Sequence, residues 1–372
     1  MKILTVVGTR PEIIRLSRVI DKLDKYCDHY LIHTGQNYDY ELNQIFFDEL
    51  AIRAPDQFLE CARQSAAETI AEIIKKTDKC FIEYSPDAVL ILGDTNSSLA
   101  AIAAKRRKIP IFHMEAGNRA FDLRVPEEIN RKIVDHLADI NMPYCDIARD
   151  YLIREGIAPE MIVKTGSPMP EVLSFYRENI DSSDVLKRLK VEEQNYFVVS
   201  MHREENVDSV INLTKFIEVL NMICDVYQLP VILSTHPRTR KKIDELGLSF
   251  NNLVRVTKPL GLPDYIRLQI SAKTVLSDSG SLTEESSILN FPAINIRDVH
   301  ERPEGMEEGA VIFTGMDVNL ILHAIKVIAD QGRGEERSIN LVEDYKANNV
   351  SEKVLRTILS YVHYINRVVW KK

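Results

Sequence analysis

The chain has 372 residues, more than one hydrophobic core usually organises, so two domains of about 150 to 200 residues each are expected. Its composition, 45% hydrophobic and 27% charged with 14 Gly and 15 Pro, is that of an ordinary globular protein and excludes disorder, collagen and coiled coil. The 47 basic against 55 acidic residues leave a net charge of -8, which argues against nucleic acid as a partner.

Met1 leads directly into a β-branched run at residues 3–7 with no apolar leader ahead of it, so a cytoplasmic address is expected. Strand-like runs at residues 3–7, 29–33 and 88–92 alternate with helical patterns at 12–25, 40–50 and 97–107. Residues 109–114 continue the series as a buried strand, 127–137 follow as a helix, and 161–165 close it as a further strand. Strands separated by helices imply parallel βαβ units, so this half reads as one doubly wound sheet. Gly166-Ser-Pro-Met-Pro170 carries turn chemistry and is the expected hinge. A second series follows: strands at 196–200, 230–234, 274–277 and 292–296, with helices near 208–226 and 261–272. The last twenty residues place Leu355, Ile358, Leu359, Val362, Ile365, Val368 and Val369 on a helical stripe expected to cross back onto the first domain. The reading is α/β with two Rossmann-like domains, residues 1–168 plus the helix 355–372, and residues 169–354. The apolar run at 88–92 is far too short to span a bilayer, so no membrane is involved. The five cysteines are scattered without a CxxC pair and read as reduced thiols, not as a metal site.

In parallel α/β sheets the loops at the carboxyl ends of the strands form the ligand crevice, and here those loops hold the unusual residues. Gly8-Thr9-Arg10-Pro11-Glu12 puts Arg10 at a helix start, suited to an anion, with a solvated surface charge as the lesser alternative for Arg10 and an even one for Arg15. Asp94, in Gly93-Asp94-Thr95-Asn96, is either a helix cap or a functional carboxylate. Glu115, in His113-Met-Glu115-Ala-Gly117, falls where a carboxylate in a strand's last buried position is costly unless paired or used. Glu127 and Glu128 after Pro126 are either first-turn acids or reacting groups. In the second half, His202 and Arg203 end a strand, and His236 with Arg238 and Arg240 repeats the theme; both suit phosphate oxygens or a solvated loop. Asp278-Ser279-Gly280-Ser281 opens a helix with an anion-binding nest, while Glu285 one turn in suits a ribose diol. Arg297 and Arg302 add positive charge nearby. No GxGxxG, GxxxxGK or HExxH occurs. The division, diphosphate groups in the second half and carboxylates in the first, suits a nucleotide-sugar enzyme.

Taken in order, Gly8-Thr-Arg-Pro-Glu12, Gly93-Asp-Thr95, His113-Met-Glu-Ala-Gly117, Pro126-Glu-Glu128 with Asn130-Arg131, His202-Arg203, Asp278-Ser-Gly280 with Glu284-Glu285, and Glu301-Arg-Pro-Glu304 closely resemble the non-hydrolysing UDP-N-acetylglucosamine 2-epimerase family over nearly the whole chain. The resemblance implies the GT-B architecture, two Rossmann-like domains with parallel sheets facing an interdomain cleft, commonly as a homodimer. It implies catalytic roles for Asp94, Glu115, Glu127 and His202. Arg10 and Arg302 would hold phosphate oxygens, Ser279, Gly280 and Ser281 the diphosphate, and Glu285 the ribose, with Arg15, Arg203 and His236 also on the UDP-sugar side. Arg15 stands where members often have Lys, which alters the geometry. The implied reaction is anti elimination of UDP from a UDP-N-acetylhexosamine to a 2-acetamidoglycal, then re-addition with the proton delivered to the other face of C2. Neither cofactor nor metal is called for. Gly35-Gln36-Asn37-Tyr38-Asp39-Tyr40 and Asn118-Arg119-Ala-Phe121-Asp122-Leu-Arg124 depart from the usual segments and look like the branch that forms UDP-N-acetyl-L-fucosamine from a 6-deoxy talose precursor, for bacterial surface polysaccharide. The competing readings are a GT-B glycosyltransferase, which would have no use for three first-domain carboxylates, and a hydrolysing epimerase, which would accumulate free UDP.

Overall fold

The computed structural model describes residues 1–36, 47, 50–201, 209–234, 242–243 and 245–372. The first sheet contains β1 (Lys2–Val7), β2 (Asp28–His33), β3 (Gln57–Phe58), β4 (Ala88–Leu92), β5 (Ile111–Met114) and β6 (Ile140–Met142), in the order β3-β2-β1-β4-β5-β6. Every pairing is parallel. Parallel strands need crossovers, and α1 (Arg10–Tyr26), α2 (Ala66–Tyr84), α3 (Ala100–Arg106) and α4 (Pro126–Leu137) supply them; α5 (Asp146–Arg154) and α6 (Met169–Phe175) follow the last strand. β1 and β4 are buried along nearly their whole length, as strands covered on both faces must be. Leu4, Val6, Val89 and Ile91 pack on one face with Ile73, Phe81, Ala100 and Ala104.

The second sheet repeats the plan with β7 (Phe197–Ser200), β8 (Val231–Ser234), β9 (Val254–Thr257), β10 (Thr274–Ser277), β11 (Ala293–Asn295) and β12 (Ile312–Phe313), ordered β12-β11-β10-β7-β8-β9 and again all parallel. Its helices are α7 (Arg177–Asp181), α8 (Val185–Leu189), α9 (Val210–Tyr227), α10 (Leu262–Ser271), α11 (Ser281–Leu289), α12 (Pro303–Glu307) and α13 (Val318–Val327). Val199, Leu233 and Leu276 meet Leu213, Leu220 and Ile325 on one face; Val198, Ile232 and Val275 meet Leu268 and Leu282 on the other. In each sheet the first strand lies beside the fourth, so the winding reverses between β1 and β4 and between β7 and β10. In open parallel sheets a ligand site is expected at the carboxyl ends of the strands where the winding reverses, so each unit has one such position of its own.

The final helix, α14 (Val350–Val368), packs on α1. Met1–Ser174 and Ala347–Lys372 together form one compact unit, and Phe175–Lys346 forms the other. α14 begins five residues before the expected 355, and its buried stripe is Val350, Val354, Leu355, Ile358, Val362 and Ile365, while Leu359, Val368 and Val369 are exposed. Glu171 at the start of α6 accepts from the Ser351 amide at 2.8 Å and from its hydroxyl, holding the N-terminal turn of α14. Two further expectations need correction. Residues 161–165 do not form a strand: Ile162 makes only an isolated parallel bridge to Asn141, after a 3-10 turn at Pro159–Met161. The sheet edge belongs to β6, whose Asn141 side-chain nitrogen donates to the Asp135 carbonyl at 2.9 Å. The helix expected at 97–107 opens as a 3-10 turn, Asn96–Leu99, before α3. Most of the helix expected at 40–50 lies outside the described residues.

Candidate active site

In the first unit the chain leaves β1 through Gly8, where the next elements approach so closely that no side chain fits. A Cβ there would sit 1.9 Å from Ser97 Oγ and 2.4 Å from Thr34 Oγ1, two hydroxyls that bond each other at 2.7 Å. Thr9 caps α1, Arg10 opens it, and the carboxylate of Glu12 folds back onto the loop. Glu12 Oε2 accepts from the amides of Gly8 at 2.6 Å and Thr9 at 2.7 Å; Oε1 accepts from Thr95 Oγ1 at 2.6 Å. One buried carboxylate thus ties the loop after β1 to the loop after β4.

Burial pushes the Glu12 carboxyl up from the usual 4.5 to about 7, against the hydrogen bonds from Thr95, Gly8 and Thr9 that favour its ionised form. Between those values the folded chain keeps a proton that the unfolded chain has released. The stabilisation is therefore complete below the unfolded value and is lost as the pH rises through the folded one, a span worth about 3 kcal/mol. Relative to Glu12→Gln, the parent protein is expected to lose about that much stability between about pH 4 and about pH 8 in urea unfolding. A difference that stays flat with pH would assign the Glu12 carboxyl an ordinary titration.

Asp94 follows β4. The cap of the 3-10 turn is Thr95, whose hydroxyl accepts from the Ser97 amide, so capping does not occupy Asp94. Its Oδ2 accepts from Arg131 Nε at 2.6 Å, and its carbonyl accepts from Asn130 Nδ2 at 2.9 Å. Arg131 Nη1 also lies 3.2 Å from Glu128 Oε2. Glu128 is wholly buried and accepts from the amides of Ala120 at 2.8 Å and Phe121 at 3.3 Å, which makes it the brace of the 118–125 loop. Its neighbour Glu127, also in the first turn of α4, is half-buried instead. The two acids that sequence spacing leaves equivalent are thereby distinguished. Glu115 stands one residue beyond β5, in the left-handed region at φ 62 and half-buried, not in the strand's last buried position. Asn118 Nδ2 donates to its Oε1 at 3.2 Å, and its Oε2 lies 3.7 Å from where a Cβ on Gly93 would stand, beside Asp94. The Glu115 carboxylate therefore stands beside the Gly93-Asp94 turn, at the end of one of the two strands that flank the switch point. Arg15 is buried with its guanidinium 5.8 Å from the centre of the Tyr144 ring, while Arg10 is half-buried.

At the second unit's switch point Ser200 Oγ and Ser277 Oγ bond at 2.7 Å across β7 and β10, and Tyr265 donates to Ser200 at 3.0 Å. Ser277 Oγ accepts from the Ser279 amide at 3.0 Å, and Ser279 Oγ accepts from the Ser281 amide at 3.3 Å, so hydroxyls engage those two amides. Gly280 is the N-cap of α11. Glu285 is buried with Oε2 accepting from Gln269 Nε2 at 2.9 Å. The positive charge read on the following loop is compensated: Arg297 contacts Glu301 at 3.1 and 3.2 Å, and Arg302 Nη2 lies 3.2 Å from Glu284. His202, Arg203 and His236 lie outside the described residues.

Sequence reasoning passed over Glu12 and assigned no role to Arg131. The signal for Arg131 was present in Glu127-Glu128-Ile-Asn-Arg131, where spacing of three puts Glu128 and Arg131 on one helix face. For Glu12 the capping-box spacing of Thr9 and Glu12 was readable, but its contact with Thr95, 83 residues away, was not. Among the described residues no group of three or more His, Cys, Asp or Glu is placed to hold a metal ion, and no helix is long and apolar enough to cross a membrane.

The sequence matches the family described as UDP-N-acetylglucosamine 2-epimerase over residues 21–359. A solved UDP-N-acetylglucosamine 2-epimerase from Rickettsia bellii is similar with a TM-score of 0.91 and 49% identity, covering 100% of both chains. The Methanocaldococcus jannaschii UDP-GlcNAc 2-epimerase, solved in complex with UDP-GlcNAc and UDP, is similar with a TM-score of 0.90 and 32% identity over 97% of this chain and 100% of that one. A UDP-2,3-diacetamido-2,3-dideoxy-D-glucuronate 2-epimerase of Pseudomonas aeruginosa is 33% identical over 93% of this chain and 99% of its own.

Proposed function

The chain belongs to the UDP-N-acetylglucosamine 2-epimerase family, and on that premise we propose that it inverts C2 of a UDP-N-acetylhexosamine without net hydrolysis. The observation that carries the reading is the meeting of the Glu115 carboxylate with the Gly93-Asp94 turn, in a unit that also presents Glu127 half-buried on α4. C2 of the sugar has no adjacent carbonyl to stabilise a carbanion, so its proton leaves as the C1–O bond to UDP breaks and a C1–C2 double bond forms. UDP then re-adds at C1 and a proton is delivered to the opposite face of C2. Removal on one face and delivery on the other need acids on both sides, the work of Asp94, Glu115 and Glu127. Negative charge on the departing diphosphate is met by Arg10, Arg302, His202 and the amides at Ser279, Gly280 and Ser281, with Glu285 on the ribose. Arg15, Arg203 and His236 complete the UDP-sugar side. Arg131, bonded to Asp94, keeps that carboxylate oriented. The reading includes a homodimer in the cytoplasm serving surface polysaccharide synthesis.

The test follows C2 by proton NMR in deuterated water, with phosphorus NMR reporting free UDP. With UDP-N-acetylglucosamine, deuterium at C2 and UDP-N-acetylmannosamine without free UDP are expected. If the 6-deoxy branch applies, the same signature appears with UDP-2-acetamido-2,6-dideoxy-L-talose instead. Stoichiometric free UDP would replace this reading with a hydrolysing epimerase, and inertness with both substrates would end it.

A further inference from the structure

β5 reads Ile-Phe-His-Met, and its third residue, His113, is a titratable group buried in the middle of a parallel sheet. Its Nε2 lies 2.8 Å from the carbonyl oxygen of Gly93, and its Nδ1 lies 2.9 Å from Asp135 Oδ1. Asp135, two turns along α4 from Glu127, is equally buried. The same carboxylate accepts from the Gly117 amide at 3.2 and 3.3 Å and from Arg119 Nη1 at 2.7 Å, while Arg119 Nε donates to Glu155 at 2.8 Å.

Traced along the chain, these contacts have one outcome. Gly93 precedes Asp94, Gly117 and His113 each stand two residues from Glu115, and Asp135 shares α4 with Glu127. The three segments that carry the carboxylates therefore converge on one buried carboxylate, Asp135, paired with His113 on one oxygen and with Arg119 on the other. A buried pair is a weak source of stability, since well-packed apolar side chains of similar volume do as well or better, whereas it holds direction more strictly than apolar contact does. We propose that the His113–Asp135 pair is a positioning device that fixes the mutual placement of Asp94, Glu115 and Glu127, with His113 acting through Gly93 and Asp135 and not on the substrate. The proposal rests on the reading of those three acids as the reacting groups.

Nε2 faces a carbonyl, which only accepts, so it carries a proton there, and a second proton on Nδ1 gives the ring the charge that its close approach to the Asp135 carboxylate favours. Burial alone would strip the charge from His113, but Asp135 beside it, with the Gly93 carbonyl, raises its affinity for a proton above the ordinary histidine value.

The test measures kcat, KM, UDP affinity and thermal unfolding for His113→Gln and Asp135→Asn beside Glu115→Gln. For the two positioning variants kcat is expected to fall about 100-fold, as small misplacements of reacting groups do, with KM and UDP affinity unchanged. Normal kcat in a folded His113→Gln variant while Glu115→Gln is dead would overturn the positioning role and leave the epimerase reading intact. Full activity of Glu115→Gln would instead strike at that reading itself. Because either positioning variant could fail to fold, the unsubstituted protein is labelled with 15N-histidine and titrated, and His113 is expected to keep both nitrogens protonated to a higher pH than an ordinary histidine does. A His113 ring that loses its proton at or below the ordinary histidine value would overturn the proposal without any variant.

Discussion

Asp94→Asn, Glu115→Gln and Glu127→Gln are each expected to lower the rate of C2 epimerisation by about 10² to 10⁴, the range that a placed general acid or base contributes. All three exchanges keep shape and remove charge, and their local consequences differ. Glu115 is held by Asn118 at 3.2 Å, a contact an amide can keep by rotating, so its loss should appear in kcat alone. Asp94 is a partner of Arg131, and the Asn variant removes the charge from that contact, so a loss of order in the β4 loop adds to the loss of the carboxylate. Glu127 has a buried neighbour that does the bracing, so Glu127→Gln should leave thermal unfolding unchanged while Glu128→Gln lowers it. Deuterium incorporation at C2 is the decisive readout, because it registers proton removal even when net epimerisation stalls. Near-parent exchange rates in all three variants would remove the chemistry from this cluster altogether.

Gly117→Ala is expected to cost the first unit about 3 to 5 kcal/mol, the range of a backbone clash joined to strain. Gly117 has φ 81, a conformation open to glycine, and a Cβ there would meet the Ala148 carbonyl oxygen at 2.3 Å and Leu152 Cγ at 2.9 Å. The first obstacle is backbone of α5 and cannot swing aside. Relief would require moving Glu115, two residues back, so activity should fall with stability. The measurement has a built-in reporter: Trp370, the one tryptophan of the chain, lies in the first unit with Lys105 Nζ 5.2 Å from its ring. Its fluorescence in urea isolates the unfolding of that unit, and a loss of less than about 1 kcal/mol would show that the loop yields more easily than its contacts imply.

The α/β class and the two Rossmann-like units of the GT-B family were legible because β-branched runs such as 88–92 alternate with amphipathic segments such as 12–25, and periodicity reports burial on each face directly. Short or polar elements escaped. β6 contains an asparagine, β3 and β12 span two residues each, and α2 was missed although Ser65 and Glu68 form a readable capping box at its start. The site was legible as a set of strand-end residues. What could not be read was the wiring among them. Thr95 to Glu12, Arg131 to Asp94 and His113 to Gly93 are contacts between segments distant in sequence, and nothing local in a side chain's neighbourhood along the chain specifies its partner. The compensation of Arg297 by Glu301 is the opposite case: a spacing of four residues was visible, but not the burial that turns it from a surface charge into a closed pair.

The first unit is built from two stretches of chain with the second unit encoded between them. Protein synthesis proceeds from the N-terminus, so α1 leaves the ribosome more than three hundred residues before α14, the helix that packs on it. Until then the nascent first unit has its sheet and crossover helices but lacks the covering that Val354, Ile358, Val362 and Ile365 provide. The second unit has no such debt, since all of Phe175–Lys346 has emerged by the time α14 begins. A stop codon just before α14 would thus leave every residue of the second unit in the chain, and the acids at the ends of β4 and β5 as well, but in a first unit without the helix that covers α1.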